Sequence, residues 1–147
     1  MNQEKFKDLK ENFKLRNIEV EFFETLEDVK VHILSIIPID CTIGIGHSAT
    51  LQKINITNSL FERGNIVYDK ELAGDQEECK DLKKKALLTD WYITGSNAIS
   101  LDGRIVNVDH SGNRVAAISF GPDKVIIVVG KNKIVDSVDD AIAWNNS

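Results

Sequence analysis

The sequence predicts an α/β protein, a single-domain sandwich in which helices cover a mainly parallel β-sheet. One observation is the order of patterns between Cys41 and Leu88, where short apolar stretches alternate with helical ones, as in β–α–β units. Another is size, because 147 residues, 42% of them hydrophobic and 28% charged, supply enough apolar material for one core. We therefore expect one domain over residues 1–147.

The N-terminal segment combines a helical pattern with an alternating one. Phe6, Leu9 and Phe13 have the spacing that lines one face of an amphipathic helix. In residues 18–23, apolar side chains alternate with two glutamates. Since alternate side chains of a strand point to opposite faces, a half-buried strand is expected there.

A second helix, a strand and a glycine turn follow in that order. Thr25 has the spacing of a capping box, and the helix that it begins is expected to end at Pro38. Residues 41–45 are mostly apolar and predict a buried strand, which leads into the turn at 46–50. Ser48 is the expected N-cap of the next helix.

The pattern changes after residue 90, from alternating strands and helices to strands alone. Residues 65–68 predict a strand and 76–88 a helix, whereas the later chain is rich in strand patterns. The expected later strands are 91–95, 98–101, 104–107, 114–120 and 125–129. Asp102-Gly103 predicts a hairpin turn, and Asp136 or Ser137 is expected to cap a last helix.

Charge, cysteine content and hydropathy limit the function classes. Eighteen basic and 23 acidic residues give a net charge of −5, which offers no electrostatic surface for nucleic acid. Cys41 and Cys79 lack the spacing of a disulfide framework, a metal site or an iron–sulfur cluster. No stretch is long and apolar enough for a membrane span or a signal peptide. We expect a cytoplasmic protein without a metal or cofactor and without a membrane partner.

The glycine turn is the first candidate site. Gly44, Gly46, Ser48 and Thr50 form a turn that could hold a phosphate or carboxylate through backbone amides and hydroxyls. The same segment matches G-x-G-x-x-A, with Asp69 near the position that binds ribose in dinucleotide folds. A third interpretation stays open, in which the glycines only make a tight turn.

The second candidate site is a dense group of polar side chains between the later strands. These side chains offer donors and acceptors for a small ligand, although Asn, Asp and Gly are also ordinary turn formers. Arg114 precedes an apolar stretch and could bind a carboxylate or phosphate in a fork. The candidates are Thr94, Gly95, Asn97, Asn107, Asp109, Gly112, Asn113 and Arg114.

A third group follows the last apolar strand. Lys131, Asn132 and Lys133 lie where parallel-sheet proteins bind ligands, beyond a strand's carboxyl end, although loop lysines are commonly only solvated. His47 and His110 adjoin the first two sites and could act as acids or bases, or lie exposed in loops. The sequence does not decide between these roles.

Residues 90–136 contain a series of spaced motifs, which are T-G-x-N-A, D-G-x-x-V-N-x-D, G-N-R-V-A, F-G-P and V-G-x-N-K-I-V. Together they resemble the lactate-utilisation (LUD) domain family, which includes the LutC subunit of the bacterial L-lactate oxidation system. The resemblance extends over about residues 19–143. It implies the fold of ribose-5-phosphate isomerase, glucosamine-6-phosphate deaminase and the CoA transferases, in which the glycine turn holds phosphate or carboxylate.

The resemblance implies a LutC-like accessory or substrate-binding subunit in the oxidation of L-lactate to pyruvate. A chain without cluster-forming cysteines would then depend on iron–sulfur partner subunits for electron transfer. Two alternatives stay open. One is a stand-alone enzyme acting on a sugar phosphate or CoA thioester, with Asp109 or His47 as base. The other is a non-catalytic module that binds an organic acid, and homo-oligomer formation is open under each hypothesis.

Overall fold

A computed structural model describes residues 2–146, which form two compact units. The larger unit consists of Thr25–Gly95 and Asp109–Val128. The smaller unit consists of the chain up to Glu24, Ser96–Val108, and the chain from Val129 onward. In chain order the elements are α1 (Gln3–Lys14), α2 (Leu26–Ile36), β1 (Thr42–Ile45), α3 (Ala49–Lys53), α4 (Ile56–Glu62), β2 (Ile66–Asp69), α5 (Gln76–Ala86), β3 (Trp91–Thr94), β4 (Ala98–Ser100), β5 (Arg104–Val106), α6 (Asn113–Ser119), β6 (Lys124–Ile127), β7 (Ile134–Val135) and α7 (Val138–Asn146).

The larger unit contains a four-stranded sheet in the order β2-β1-β3-β6, with every neighbouring pair parallel. Ile45 pairs in register with Asp69 on one side and with Ile93 on the other. The α/β class and the mainly parallel sheet are therefore confirmed. The prediction of one domain over residues 1–147 stays a prediction.

Helices pack on both faces of this sheet. On one face, Ile43, Ile45 and Ile93 form an apolar core with residues of α2, α3 and α4, among them Ile33 and Leu60. On the other face lies a smaller cluster that joins Tyr92 of β3 to residues of α5 and α6. This arrangement follows from the sequence, since alternate side chains of β1 and β3 point to opposite faces.

Local capping signals place several helix ends where the sequence predicts them. Oγ1 of Thr25 accepts a hydrogen bond from the Asp28 amide at 3.1 Å, and α2 ends two residues before Pro38. Ser48 caps α3, and Ser137 accepts from the Asp140 amide at the start of α7. These predictions are confirmed because a cap depends on residues only three positions apart.

The smaller unit contains a three-stranded sheet in the order β5-β4-β7. β4 and β5 form the expected hairpin, in which Gly103 has a φ of 88°, the region that favours glycine. β7 pairs with β4 in parallel. Leu9 and Phe13 of α1 pack with Ile99 of β4 in the core of this unit.

Two predicted strands are wrong. Residues 18–23 have no strand partner, and Phe22 instead packs against Phe6 at a ring-centroid distance of 4.8 Å. Alternation alone does not make a strand where no neighbour supplies backbone hydrogen bonds. Residues 114–120, also predicted as a strand, lie mostly in α6. Gly112 turns the chain with a φ of 77°, and Asp109 binds an amide of the first helical turn, which starts a helix there.

The last apolar strand is also more exposed than its sequence predicts. β6 is an edge strand of the larger sheet, and Val125, Ile126 and Ile127 are half-buried. Its continuous apolar character is typical of a strand that is covered on both faces. In residues 2–146, no helix has the length and apolar character required to cross a membrane.

Candidate functional site

The site in the larger unit lies at the carboxyl ends of three parallel strands. β1 ends at Ile45, β2 at Asp69 and β3 at Thr94. The chain passes from β1 to β2 on one side, and then returns to place β3 on the other side of β1. Ligands of open parallel sheets bind at such a reversal point, outside the strand ends. The gap between β1 and β3 is therefore the expected ligand position.

Gly46 lies at this end of β1, and its backbone packs directly against two hydroxyl groups. Its amide donates to the Ile93 carbonyl at 2.8 Å, which extends the pairing of β1 and β3 by one residue. A Cβ at Gly46 would lie 2.6 Å from the Tyr92 hydroxyl and closer still to Oγ1 of Thr94. No other residue fits here without displacing those groups. The sequence predicts that the backbone of this glycine comes close to another group. In the structure, the groups that it contacts are the hydroxyls of Tyr92 and Thr94.

The other residues of the glycine turn have different surroundings. A Cβ at Gly44 would lie 2.8 Å from Cβ of Ala86, so this glycine allows close packing of α5 on the sheet. Oγ of Ser48 accepts from the Leu51 amide at 3.2 Å, and Ser48 lies beside Gly95. Thr50 is half-buried in α3. A ligand role for each of these residues stays a prediction.

Thr94 carries a buried hydroxyl that lacks a hydrogen-bond partner. The side chain is fully buried, and among the side-chain atoms that the structure describes, Oγ1 of Thr94 is the buried one found unpaired. The Tyr92 hydroxyl is a hydrogen-bonding neighbour of Thr94, close enough for Thr94 to lower the Tyr92 pKa slightly, but the pair falls short of a formed hydrogen bond. An unmade hydrogen bond at a buried hydroxyl costs about 1–3 kcal/mol, so it marks a place where a ligand group could bind.

Tyr92 is a buried hydrogen-bond donor at the same place. Burial raises its pKa from 10.0 to about 12, the negative charges of Asp109 and Asp69 add to the rise, and the positive charge of Arg114 opposes it. The hydroxyl is therefore protonated at neutral pH. Tyr92 was not among the residues that the sequence singled out. Its alternation with Thr94 in W-Y-I-T was the available signal, because it places both side chains on one face of β3.

Asp109 and Arg114 form an ion pair close to Tyr92. Nε of Arg114 donates to Oδ1 of Asp109 at 2.9 Å, and the Val115 amide donates to Oδ2 at 2.6 Å. Asp109 thus holds both the guanidinium and the first turn of α6. The fork expected at Arg114 therefore has a carboxylate of the chain itself as one partner, and the local charge of the pair is balanced.

The loop before α6 is held by its own polar side chains. Oγ of Ser111 donates to Oδ1 of Asn113 at 3.0 Å and accepts from Nζ of Lys83, also at 3.0 Å. Gly112 supplies the turn described above. His110 is exposed, and His47 lies 3.7 Å from a carboxylate oxygen of Glu71 with most of its side chain exposed. Neither histidine is fixed in a geometry that defines a base.

Asp69 lies on the opposite face of the sheet from Tyr92, beside a cavity of about 250 Å³. Its Oδ2 accepts from Oγ1 of Thr57 at 2.7 Å, and its Oδ1 accepts from the Glu71 amide at 3.0 Å. The register of Asp69 with Ile45 places the carboxylate on the face of the isoleucine core. The sequence pointed to Asp69 through its spacing along the chain from the glycine turn, which is near that of the ribose-binding acid in dinucleotide folds.

The remaining predicted site residues lie in the smaller unit, where they contact their own unit. Oδ1 of Asn107 accepts from Oγ of Ser96 at 2.9 Å, and Oδ1 of Asn97 accepts from the Val108 amide at 3.0 Å. Nζ of Lys133 donates to the Ser96 carbonyl at 3.0 Å. The first two contacts join the segment before β4 to the segment after β5, and the third joins it to the segment before β7. A ligand role for Asn97, Asn107 and Lys133 stays a prediction.

Lys131 and Asn132 also have intramolecular contacts in the smaller unit. Nζ of Lys131 lies 5.0 Å from the centroid of the Phe22 ring, which is a cation–π distance. Oδ1 of Asn132 folds back over Gly130, where a Cβ would meet it at 2.7 Å. Among the described residues there is no group of three or more His, Cys, Asp or Glu side chains arranged to hold a metal ion.

Comparison with known proteins identifies one family. The family model of the LUD domain matches residues 6–147, which is nearly the whole chain. The search of curated proteins gave no match, and the search of solved structures gave none either.

Proposed function

The chain belongs to the LUD domain family, the lactate-utilisation family, and from this we propose that it is a LutC-like substrate-binding or accessory subunit in the oxidation of L-lactate to pyruvate. The ligand in this proposal is a small 2-hydroxy acid, held at the carboxyl ends of β1 and β3. Its oxidation releases two electrons and two protons. We assign the electrons to iron–sulfur partner subunits, so that this chain binds and orients the substrate.

The unpaired Thr94 hydroxyl is the observation that carries the proposal. A 2-hydroxy acid presents a hydroxyl and a carboxylate on neighbouring carbons, so it can supply a partner to Thr94 and accept a hydrogen bond from Tyr92 at the same time. Gly46 leaves the backbone close to both groups. Among the charges that act on Tyr92, those of Asp109 and Asp69 oppose an anion and together outweigh that of Arg114, so hydrogen bonds rather than net positive charge would hold the carboxylate of the ligand.

The same residues favour binding over catalysis by this chain. Tyr92 has a pKa of about 12 and is a donor rather than a base at neutral pH. Both oxygens of Asp109 already accept hydrogen bonds, from Arg114 and from the Val115 amide. The alternative of a stand-alone enzyme on a sugar phosphate or CoA thioester uses Asp109 or His47 as base. Turnover of either substrate class by the purified chain would favour that alternative.

Calorimetric titration of the purified protein with L-lactate tests the proposal. We expect binding of L-lactate that weakens by at least about tenfold in Thr94→Val, which removes the hydroxyl and keeps the shape of the side chain. The matched control is Thr89→Val, because Thr89 is equally buried but donates to the Ala86 and Trp91 carbonyls. We expect the control to bind L-lactate as the parent does.

Two results would overturn the proposal. One is equal affinity of the parent protein and Thr94→Val for L-lactate, or no binding by either. The other is growth on L-lactate that is unchanged when the gene is deleted. Recovery of iron–sulfur subunits with the chain from cells grown on L-lactate tests the partners separately.

A further inference from the structure

The cavity beside Asp69 is a second candidate binding site, on the face of the sheet opposite Tyr92 and Thr94. It has a volume of about 250 Å³ and lies between the carboxyl ends of β1 and β2 and the helices α3 and α4. Ile45, Leu51 and Ile56 give it apolar walls. We propose that this cavity binds an uncharged ribosyl ligand of the nucleoside class, with the carboxylate of Asp69 accepting both hydroxyls of the ribose diol.

The charge of the cavity selects against anions. Its lining includes the carboxylates of Asp69 and Glu71, and the one basic side chain among the described lining residues is His47, which lies 3.7 Å from Glu71. A phosphate or carboxylate placed here would meet two carboxylates of its own sign, and the one basic group is already beside one of them. An uncharged ligand with hydroxyl donors meets no such repulsion.

The carboxylate of Asp69 is oriented to accept from two adjacent donors. Each of its oxygens already accepts one hydrogen bond, Oδ2 from Thr57 and Oδ1 from the Glu71 amide. These bonds fix the orientation of the carboxylate and leave each oxygen with a further lone pair. Two acceptor positions on one carboxylate match the two neighbouring hydroxyls of a ribose. The apolar walls match the C–H surface of the sugar and the flat face of a base.

The position of Asp69 in the sheet supports the same ligand class. Ile45 and Asp69 are register partners, so the acid lies one strand away, about 4.8 Å, from the strand that ends in the glycine turn. An acid at the end of the strand beside a glycine turn is the arrangement that binds ribose in parallel-sheet nucleotide sites. Helix α3 has only five residues, and we assign no phosphate position to it. Gly46 and Ser48 also line this cavity and the charge of Asp69 acts on Tyr92, so the two proposed sites are neighbours, and their different ligands separate the two tests.

Titration calorimetry with adenosine tests the proposal on the unmodified protein. We expect adenosine to bind, and the dideoxynucleoside that lacks both ribose hydroxyls to bind at least about tenfold more weakly. Titration with free D-ribose tests whether the base contributes to binding. Equal affinity for ribose and adenosine would show that the cavity binds a sugar without a base and would contradict the nucleoside class. Equal affinity for adenosine and its dideoxy analogue overturns the proposal, and so does the absence of adenosine binding.

Two variants locate the binding in the cavity. Asp69→Asn should weaken adenosine binding at least about tenfold. Because this substitution also alters the hydrogen bonds to Thr57 and Glu71, a second variant is needed to distinguish loss of the site from loss of folding. Gln52→Trp fills the cavity from an exposed position of α3 and should abolish adenosine binding while the protein unfolds at the parent's denaturant midpoint. Lys53→Trp, on the same helix but outside the cavity lining, should bind adenosine as the parent does. Adenosine binding by Gln52→Trp at parental affinity contradicts the site.

Discussion

Arg114 donates from Nε to Oδ1 of Asp109 at 2.9 Å, and only 12% and 9% of the two side chains are exposed. The pair connects the loop after β5 to the first turn of α6, and it lies near enough to Tyr92 for both charges to influence the Tyr92 pKa. It therefore combines two roles: it stabilises the local fold and it sets the charge at the candidate site.

Removing the charge of Asp109 should lower the free energy of unfolding. Asp109→Asn leaves the Arg114 guanidinium nearly buried without its carboxylate, and we expect a loss of about 3 kcal/mol in the free energy of unfolding. Urea unfolding followed by circular dichroism measures this loss. Asp81→Asn is the matched control, since the Asp81–Lys85 pair is exposed and should contribute less than about 0.5 kcal/mol. Equal losses of unfolding free energy in the two variants would show that burial does not strengthen the Asp109–Arg114 pair.

Tyr92 should make the protein less stable at alkaline pH. Its pKa is 10.0 in the unfolded chain and about 12 in the folded protein, so between these values the unfolded state loses a proton that the folded state keeps. Stability is therefore complete below pH 10 and falls as the pH rises toward 12, by about 2–3 kcal/mol in total.

Tyr92→Phe isolates this contribution, because phenylalanine has no ionisable hydroxyl. Denaturant unfolding at a series of alkaline pH values should give a smaller decrease in stability for Tyr92→Phe than for the parent. Parallel pH profiles for the two proteins would show that Tyr92 does not titrate with a raised pKa.

Gly46 should not tolerate a side chain. Gly46→Ala places a methyl group against the hydroxyls of Tyr92 and Thr94, and we expect a loss of about 2 kcal/mol or more from overpacking, together with loss of L-lactate binding. Gly74→Ala is the matched control. A Cβ at Gly74 makes ordinary contact, 3.4 Å from a carboxylate oxygen of Glu78, and should change unfolding by less than about 0.5 kcal/mol. A Gly46→Ala protein with the parent's stability and L-lactate affinity would contradict the close contact between Gly46 and the hydroxyls of Tyr92 and Thr94.

Thr94 and Thr89 should respond in opposite ways to the same substitution. Thr94→Val removes a hydroxyl without a partner, so we expect the free energy of unfolding to stay constant or rise by up to about 1 kcal/mol. Thr89→Val removes a hydroxyl that donates to the Ala86 and Trp91 carbonyls, at 2.7 and 2.9 Å, and should cost about 1–2 kcal/mol. Thermal or denaturant unfolding of both variants measures the difference. A large loss in Thr94→Val would indicate that its hydroxyl has a structural role.

Features that depend on neighbouring residues could be read from the sequence. The caps at Thr25 and Ser48 and the hairpin at Gly103 each involve a few consecutive residues whose side chains or φ values determine the turn. Residues 18–23 show the limit of this reasoning, because a strand also needs a partner elsewhere in the chain. The residues after Gly112 show the same limit of local patterns. Their apolar pattern suggested a strand, but Asp109 accepts a hydrogen bond from the first turn of a helix there.

The sequence by itself determined the α/β class, the parallel arrangement of the core strands and membership of the LUD domain family, since hydrophobic periodicity and spaced motifs are properties of the chain order. The tertiary structure decided which polar groups meet. Tyr92, Thr94 and Gly46 come together because β1 and β3 are neighbours, although Gly46 and Tyr92 are 46 positions apart in the chain. Asp69 ends β2, on the other side of β1, with its side chain on the opposite face of the sheet because alternate residues of a strand point to opposite faces, yet its charge still raises the Tyr92 pKa.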